Sequence, residues 1–529
     1  MNLRKVQIFD STLRDGAQGE NVTFSVEDKL NIVKALDKFG VDYIEAGNPG
    51  SNPKDLEFFE RVGQIELKNA KLVAFGSTRR RDIDVTEDRN VMALLTANTD
   101  AVAIFGKSWD MHVTDIINTT LEQNLKMIYE TVKFFVDEGK EVIYDAEHFF
   151  DGYKANADYA IKAIQAAEKA GASCICLCDT NGGCFPDEIH EITRIAAKSV
   201  STPIGMHCHD DSGCAVANSL AGVRAGAKQV QGTFIGIGER CGNANLSTII
   251  AGLQLKLGYD CVPKQSMPRL TKVSRYIAEI ANMAIADGMP YVGKSAFAHK
   301  GGMHVDGVRK KSMSFEHIAP ESVGNARNIL LSEVSGRTAI LSKLNQVDPT
   351  LTKESRETQE LIDLLKDLEF KGFQFEAAEA SFELIVLKHL KKFKSFFEIE
   401  HYKIIGERLE NADTKPSNAL IKVKVGENYE IAAAEGHGPV NAIDKALRKA
   451  LEVFYPSLKK VRLIDYKVRV MNTNAATAAT TRVLIESTDG EETWTTVGAS
   501  EDIISASVTA LLDSMEYKLF KDNEKVRVN

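Results

Sequence analysis

Between residues 6 and 236, short apolar runs alternate with longer amphipathic stretches. The runs VQIFDST, YIEAGNP, KLVAFGST, AVAIFG, EVIYDAE, CICLCDT, PIGMHCHD and QVQGTFIG are apolar at most positions, as strands buried on both faces are. Between them, SVEDKLNIVKALDKFG spaces its apolar residues for one helix face, opens on a Ser25/Asp28 capping box and stops at Gly40. DYAIKAIQAAEKAG reads the same way and stops at Gly171. Eight strand–helix units in succession predict an α/β chain whose residues 1–288 close into a parallel (β/α)8 TIM barrel. An open doubly wound sheet is the rival, but it usually needs fewer strands.

Past Met289 the alternation breaks. DPTLTKESRETQELIDLLKDLEFKG and EAAEASFELIVLKHLKKF are helical patterns, so residues 289–395 are expected to form a helical linker region. Residues 396–529 hold a weak internal repeat, ALIKVKVGENYEIAAAEGHGPVNAIDKALRKAL and TRVLIESTDGEETWTTVGASEDIISASVTALLDSM. Each copy reads strand, turn, strand, glycine loop, helix, with Gly436 and Gly498 at corresponding places. A pseudo-symmetric α/β domain follows.

Composition narrows the function classes. At 529 residues the chain is too long for one core, and 44% hydrophobic with 26% charged residues is a globular balance. No apolar run approaches the ~20 residues of a membrane span, and MNLRKVQIFDSTLRD lacks the apolar core of a signal peptide. A net charge of −9 gives no field for nucleic acid or a membrane surface, so an anionic substrate needs local cations. All eight cysteines lie between Cys174 and Cys261, which argues for a reducing cytoplasm rather than a disulfide framework. Cys174, Cys176 and Cys178 read as small buried strand residues rather than as a zinc site.

The barrel reading places functional groups at the carboxyl ends of the strands. Polar residues gather there: Asp10, Arg14 and Asp15; Glu45 and Asn48; Ser77, Thr78 and Arg79; Asp145, Glu147 and His148; Asp179, Thr180 and Asn181; His207, His209 and Asp210; Glu239, Arg240 and Asn243. On an extended strand His207 and His209 share a face. With Asp15 they would give two imidazoles and a carboxylate, leaving positions open on a divalent ion. That set suits Mn2+, Co2+, Zn2+ or iron; Mg2+ prefers oxygen ligands but is not excluded. Arg14, beside Asp15, is placed to stabilise negative charge on an oxygen. Asp210 and Asp211 are expected to orient the histidines or cap the next helix.

LRDGAQ (Leu13 to Gln18) with Lys29 downstream, IGMHCHDDSGCAVA (Ile204 to Ala217) and GIGERCGN (Gly236 to Asn243) resemble, in order, the signatures of the α-isopropylmalate, homocitrate and citramalate synthases. GNPGSNPKD and YDAEHFFDGYKAN are most similar to the citramalate-forming branch. The resemblance implies a Claisen-type condensation of acetyl-CoA with pyruvate and water, giving (R)-citramalate and CoA on the way to isoleucine. A 2-oxoisovalerate acceptor, as in α-isopropylmalate synthases, or a homocitrate-type acceptor is the alternative. It implies a metal shell of Asp15, His207 and His209 supported by Asn243, Arg14 against the forming alkoxide, and Thr180 on the pyruvate carboxylate. It further implies Glu147 in the base machinery and His304 as a later proton carrier or water activator. Bulky Phe75, Ile104, Phe105 and Phe149 are expected to line a pocket sized for pyruvate. Phe315 stands where the family usually has a tyrosine, so no catalytic role is expected there. Cys241 raises a lyase of the hydroxymethylglutaryl-CoA type, but the surrounding loop and the long C-terminal extension differ. An amino-acid sensor with an inactive barrel is a further rival, and the intact Arg14, Asp15, His207 and His209 set argues against it. For the C-terminal domain the resemblance implies a homodimer and an isoleucine effector at GHGPVNA and VGASEDI, on Gly436, Gly438, Gly498 and Ala499. A purely dimerising module is the alternative.

Overall fold

A computed structural model describes residues 4–50, 53–299, 302–329, 341, 344–345, 347–352, 355–375, 378–406, 416–471 and 479–528. The chain forms two compact units, Met1–Ala298 with Lys311–Asn328, and His299–Lys310 with Ile329–Asn529.

In the first unit eight parallel strands close into a barrel. They are β1 (Gln7–Asp10), β2 (Tyr43–Glu45), β3 (Lys71–Ser77), β4 (Ala101–Lys107), β5 (Glu141–Glu147), β6 (Cys174–Asp179), β7 (Ile204–Cys208) and β8 (Gln229–Gly232). Each matches one of the eight apolar runs, and β8 closes on β1 through Gln7 opposite Gln229. The open-sheet rival is thereby excluded. The helix α1 (Val26–Phe39) carries the expected Ser25/Asp28 capping box and ends at left-handed Gly40.

Alternation along the strands sorts side chains into two layers. Phe9, Tyr43, Val73, Phe75, Ala101, Ala103, Ile143, Cys174, Cys176 and Cys178 fill the lumen. Ile8, Ile44, Ala74, Val102, Ile104, Tyr144 and Leu177 pack outward against the helices. The three cysteines are therefore core residues, and burial pushes the Cys174 thiol up, away from the thiolate a zinc site needs. The same alternation corrects one expected lining residue: Ile104 faces outward on β4 and is fully buried against the helices. Phe149 opens the helix Phe149–Ala155 beyond β5 and is fully buried in that same core.

In the second unit two three-stranded antiparallel sheets repeat one plan. One comprises β9 (Glu398–Gly406), β10 (Ser417–Val425) and β11 (Asn428–Gly436), followed by the helix Pro439–Leu451. The other comprises β12 (Arg462–Val470), β13 (Thr481–Thr488) and β14 (Thr493–Ser500), followed by the helix Ile503–Val528. The inner faces of both sheets and both helices share one core that includes Ile421, Leu447, Ile485, Trp494 and Leu511. The sequence repeat foresaw two strands and a helix per copy; the structure adds a leading strand to each. Among the described residues, no helix is long and apolar enough to cross a membrane.

Candidate active site and metal centre

The carboxyl ends of β1, β7 and β8 bring Asp15, His207, His209 and Asn243 together. Asp15 sits on the turn after β1, His207 lies on β7 and His209 just beyond it, so strand alternation gives the imidazoles one face. All three candidate ligands are buried, with one ligand atom of each within 4.8 Å of the others. His207 Nε2 lies 3.2 Å from His209 Nε2 and 3.3 Å from Asp15 Oδ2, and His209 Nε2 is 3.9 Å from that oxygen. Two ring nitrogens this close oppose their lone pairs unless a proton or a cation lies between them.

The donor atoms around the pair are those that a cation would take. His207 Nδ1 lies 3.0 Å from Gln231 Oε1, and Gln231 Nε2 donates to Asp145 Oδ1 at 2.9 Å. An amide oxygen only accepts, so Nδ1 carries the hydrogen and Nε2 faces the cluster. Burial and the neighbouring His207 hold His209 down to about 4, which leaves it a neutral donor. Burial alone would raise the Asp15 carboxyl, but Arg14 and both histidines outweigh it and hold Asp15 below the ordinary carboxylate range. Among the described residues Asn243 Oδ1 is buried without a hydrogen-bond partner, a further oxygen beside the histidines, where Asn243 bridges to His209 through the backbone. The donor set of two imidazole nitrogens, a carboxylate and an amide oxygen fits a divalent metal.

Arg14 is held by three neighbours. Its Nε donates to Glu45 Oε2 at 2.7 Å, its Nη1 is 3.2 Å from Asp15 Oδ2, and its guanidinium lies 3.8 Å above the Phe75 ring. Phe75 stacks on Phe105 at 5.2 Å, so the two predicted pocket phenylalanines form one aromatic wall with the guanidinium on it. Glu45 also accepts from Ser11. Burial, with Glu45 adding repulsion, pushes both Asp10 and Asp145 up to about 7. Carboxyl groups thus surround the Arg14 guanidinium at the lumen mouth.

Thr180, just past β6, accepts the His148 N–H at 2.9 Å through Oγ1. His148 adopts a left-handed backbone, φ 53°, and its Nδ1 is 3.2 Å from Asp151 Oδ2. Glu147 ends β5 directly opposite Lys107 on β4, and the two form an ion pair. Asp210 caps the following helix by accepting the Ala215 N–H, while Asp211 pairs with Arg240. Arg79 turns away: it is buried against Glu130 and the carbonyls of Arg80, Arg81 and Ile83. In the GIGERCGN loop, Gly242 has φ +94°, and a Cβ there would lie 2.0 Å from Gly236 O. Close loop packing, rather than a phosphate cradle, accounts for that glycine.

The remaining predicted positions fall on other segments of the chain. His304 is exposed on the helix Gly302–Lys310, in the second unit. Phe315 is 45% exposed in the first unit. Gly436, Gly438, Gly498 and Ala499 lie in the second unit, at the ends of β11 and β14 and the turn after β11. Sequence reasoning missed Gln231, Lys107 and the clamp that Glu45 places on Arg14. Their signal is parity: Gln231 and Lys107 share the lumen-facing register of their strands.

Three family models match in succession. They are HMGL-like over residues 5–277, the homocitrate synthase post-HMGL domain-like model over 291–372, and the LeuA allosteric (dimerisation) domain over 376–519. An (R)-citramalate synthase of Aquifex aeolicus is 52% identical, covering 98% of this chain and 99% of its own. One from Geobacter sulfurreducens is 50% identical, covering 98% of each. A probable 2-isopropylmalate synthase of Methanopyrus kandleri is 34% identical over 96% of this chain and 97% of its own.

Proposed function

The chain belongs to the (R)-citramalate synthase family, and on that premise we propose that it is an acyltransferase joining acetyl-CoA, pyruvate and water into (R)-citramalate and CoA. The observation that carries this reading is the buried Asp15, His207 and His209 cluster with the Arg14 guanidinium fixed beside it. Full-length relatives of that name support pyruvate as the acceptor over 2-oxoisovalerate.

Asp15, His207 and His209, supported by Asn243, would hold the divalent ion, of which Mn2+, Mg2+, Co2+ and Zn2+ are the candidates. When bound, that ion supplies Lewis-acid polarisation of an oxo group. Thr180 Oγ1 already accepts the His148 N–H, so its own hydrogen is available to the pyruvate carboxylate. Glu147 takes a proton from the acetyl methyl group, and the freed C–H pair forms the bond to the keto carbon of pyruvate. The keto π pair passes to its oxygen, where Arg14 offsets the charge until a proton arrives to make the hydroxyl. Water then adds to the thioester, and CoA leaves as the thiol. The Phe75–Phe105 wall limits the acceptor to a small side chain.

An isoleucine effector in the C-terminal domain, on Gly436, Gly438, Gly498 and Ala499, and a homodimer extend the reading. The allosteric (dimerisation) model matched there supports both. A cytoplasmic setting agrees with eight free cysteines.

CoA release from acetyl-CoA is the direct test, with pyruvate, 2-oxobutyrate, 2-oxoisovalerate and 2-oxoglutarate compared with and without divalent metal. Pyruvate is expected to give the highest kcat/KM, and chelation to abolish turnover. A maximum with 2-oxoisovalerate would overturn the acceptor, and full activity after stripping would overturn the metal role.

A further inference from the structure

The geometry points to Lys107 as the positioning residue that orients Glu147 for proton abstraction. This rests on the reading of Glu147 as the base. Lys107 and Glu147 are the last residues of neighbouring parallel strands and lie directly opposite one another. Both continue the parity of lumen-facing Ala101, Ala103 and Ile143, so both side chains enter the barrel mouth. Their side chains are 18% and 24% exposed, a partly dry setting in which an ion pair is worth more than on open surface.

The pair divides the two carboxylate oxygens. Lys107 Nζ donates to Glu147 Oε2, and among the described residues no other hydrogen bond reaches the Glu147 side chain, which leaves Oε1 to accept a proton. A glutamate at a strand end has three free torsions; an ammonium on one oxygen removes most of that freedom. The lysine is itself anchored, because buried Asn124 donates to its carbonyl at 2.8 Å and also holds the Tyr159 hydroxyl at 2.7 Å. The titratable groups facing Glu147 are Lys107 and His112 from the β4 side, Tyr144 on its own strand and Cys178 on β6. Burial, His148 and Lys107 all disfavour the charged form of His112, and the tyrosine and thiol are neutral when protonated. Lys107 is thus the cation of this group.

The test compares K107M, K107R and E147Q with the parent in the full-length enzyme, with saturating metal. Thermal melts and metal affinity report on folding. E147Q is expected to lose at least about a hundredfold in kcat. K107M is expected to lose at least about tenfold in kcat while keeping the pyruvate KM within about twofold and the parent's melt and metal affinity, and K107R is expected to restore kcat. A merely structural lysine would lower stability and move kcat and KM together. If E147Q loses activity while K107M keeps the parent's kcat, the inference about Lys107 fails alone. If E147Q turns over like the parent, the base assignment itself fails.

Discussion

His207 and His209 could serve as ligands, as a proton-sharing pair or as packing, and the residue that decides is Gln231. Its amide spans from His207 Nδ1 to Asp145 Oδ1, which fixes one ring tautomer and one ring orientation. Gln231→Leu keeps the bulk and deletes both bonds, and it should weaken divalent-metal binding about ten- to a hundredfold. Titration of chelator-stripped protein with Mn2+ by calorimetry measures this. An unchanged affinity would mean that the ring is held by packing alone. The candidate cluster itself was legible, because Asp15, beside Arg14, and His207–His209 fall at the ends of apolar runs, where a barrel gathers its polar groups. Gln231 was not, since a glutamine inside a strand looks like any half-polar position until its register is known. Lys107 was not legible for a smaller reason: it stands one residue beyond the apolar run AVAIFG.

At the level of elements, all eight barrel strands were legible because both faces of each are buried and their apolar character is continuous. The leading strands β9 and β12 were not. Each carries a register irregularity near its start, between Ile399 and His401 and between Leu463 and Asp465. A bulge shifts the two-residue period by one, so the apolar positions no longer alternate in sequence. The bulges fall at matching places, which strengthens the internal repeat that the later strands revealed. Gly436 and Gly498 close the same step in each copy. A Cβ on Gly436 would meet Ala442 N at 2.4 Å, and one on Gly498 would meet Ala506 O at 2.0 Å. Both glycines therefore let a strand end pack against the first turns of the following helix. Gly498→Val should destabilise the protein by about 2 kcal/mol or more, through overpacking against backbone. Gly438 is the control: a Cβ there meets nothing within 4 Å and its φ is 179°. Gly438→Ala should change stability by less than about 0.5 kcal/mol in urea melts. Comparable losses at the two positions would mean that the close approach at Gly498 relaxes freely.

At the scale of the whole molecule, two units with separate cores make a single all-or-none transition a poor expectation for 529 residues. The sequence contains only two tryptophans, and each belongs to a different unit. Trp109 follows β4 and stacks on His112 at the barrel rim. Trp494 is buried in the C-terminal core and donates to Ser514 Oγ at 3.0 Å. In W494F the fluorescence melt follows the barrel; in W109F it follows the C-terminal domain. A ligand stabilises the unit it binds by RT ln(1 + [L]/Kd), about 2.7 kcal/mol at a hundredfold excess over Kd. Isoleucine should therefore raise the W109F melting temperature directly, whereas divalent metal with pyruvate should raise that of W494F. Feedback adds a second expectation, because coupling between sites is reciprocal. If isoleucine inhibits by weakening pyruvate binding, saturating pyruvate must weaken isoleucine binding by the same factor, read as a smaller isoleucine shift in W109F. An isoleucine shift confined to W494F would move the effector site onto the barrel. An isoleucine shift in W109F that pyruvate leaves untouched would mean that the two sites do not communicate through binding.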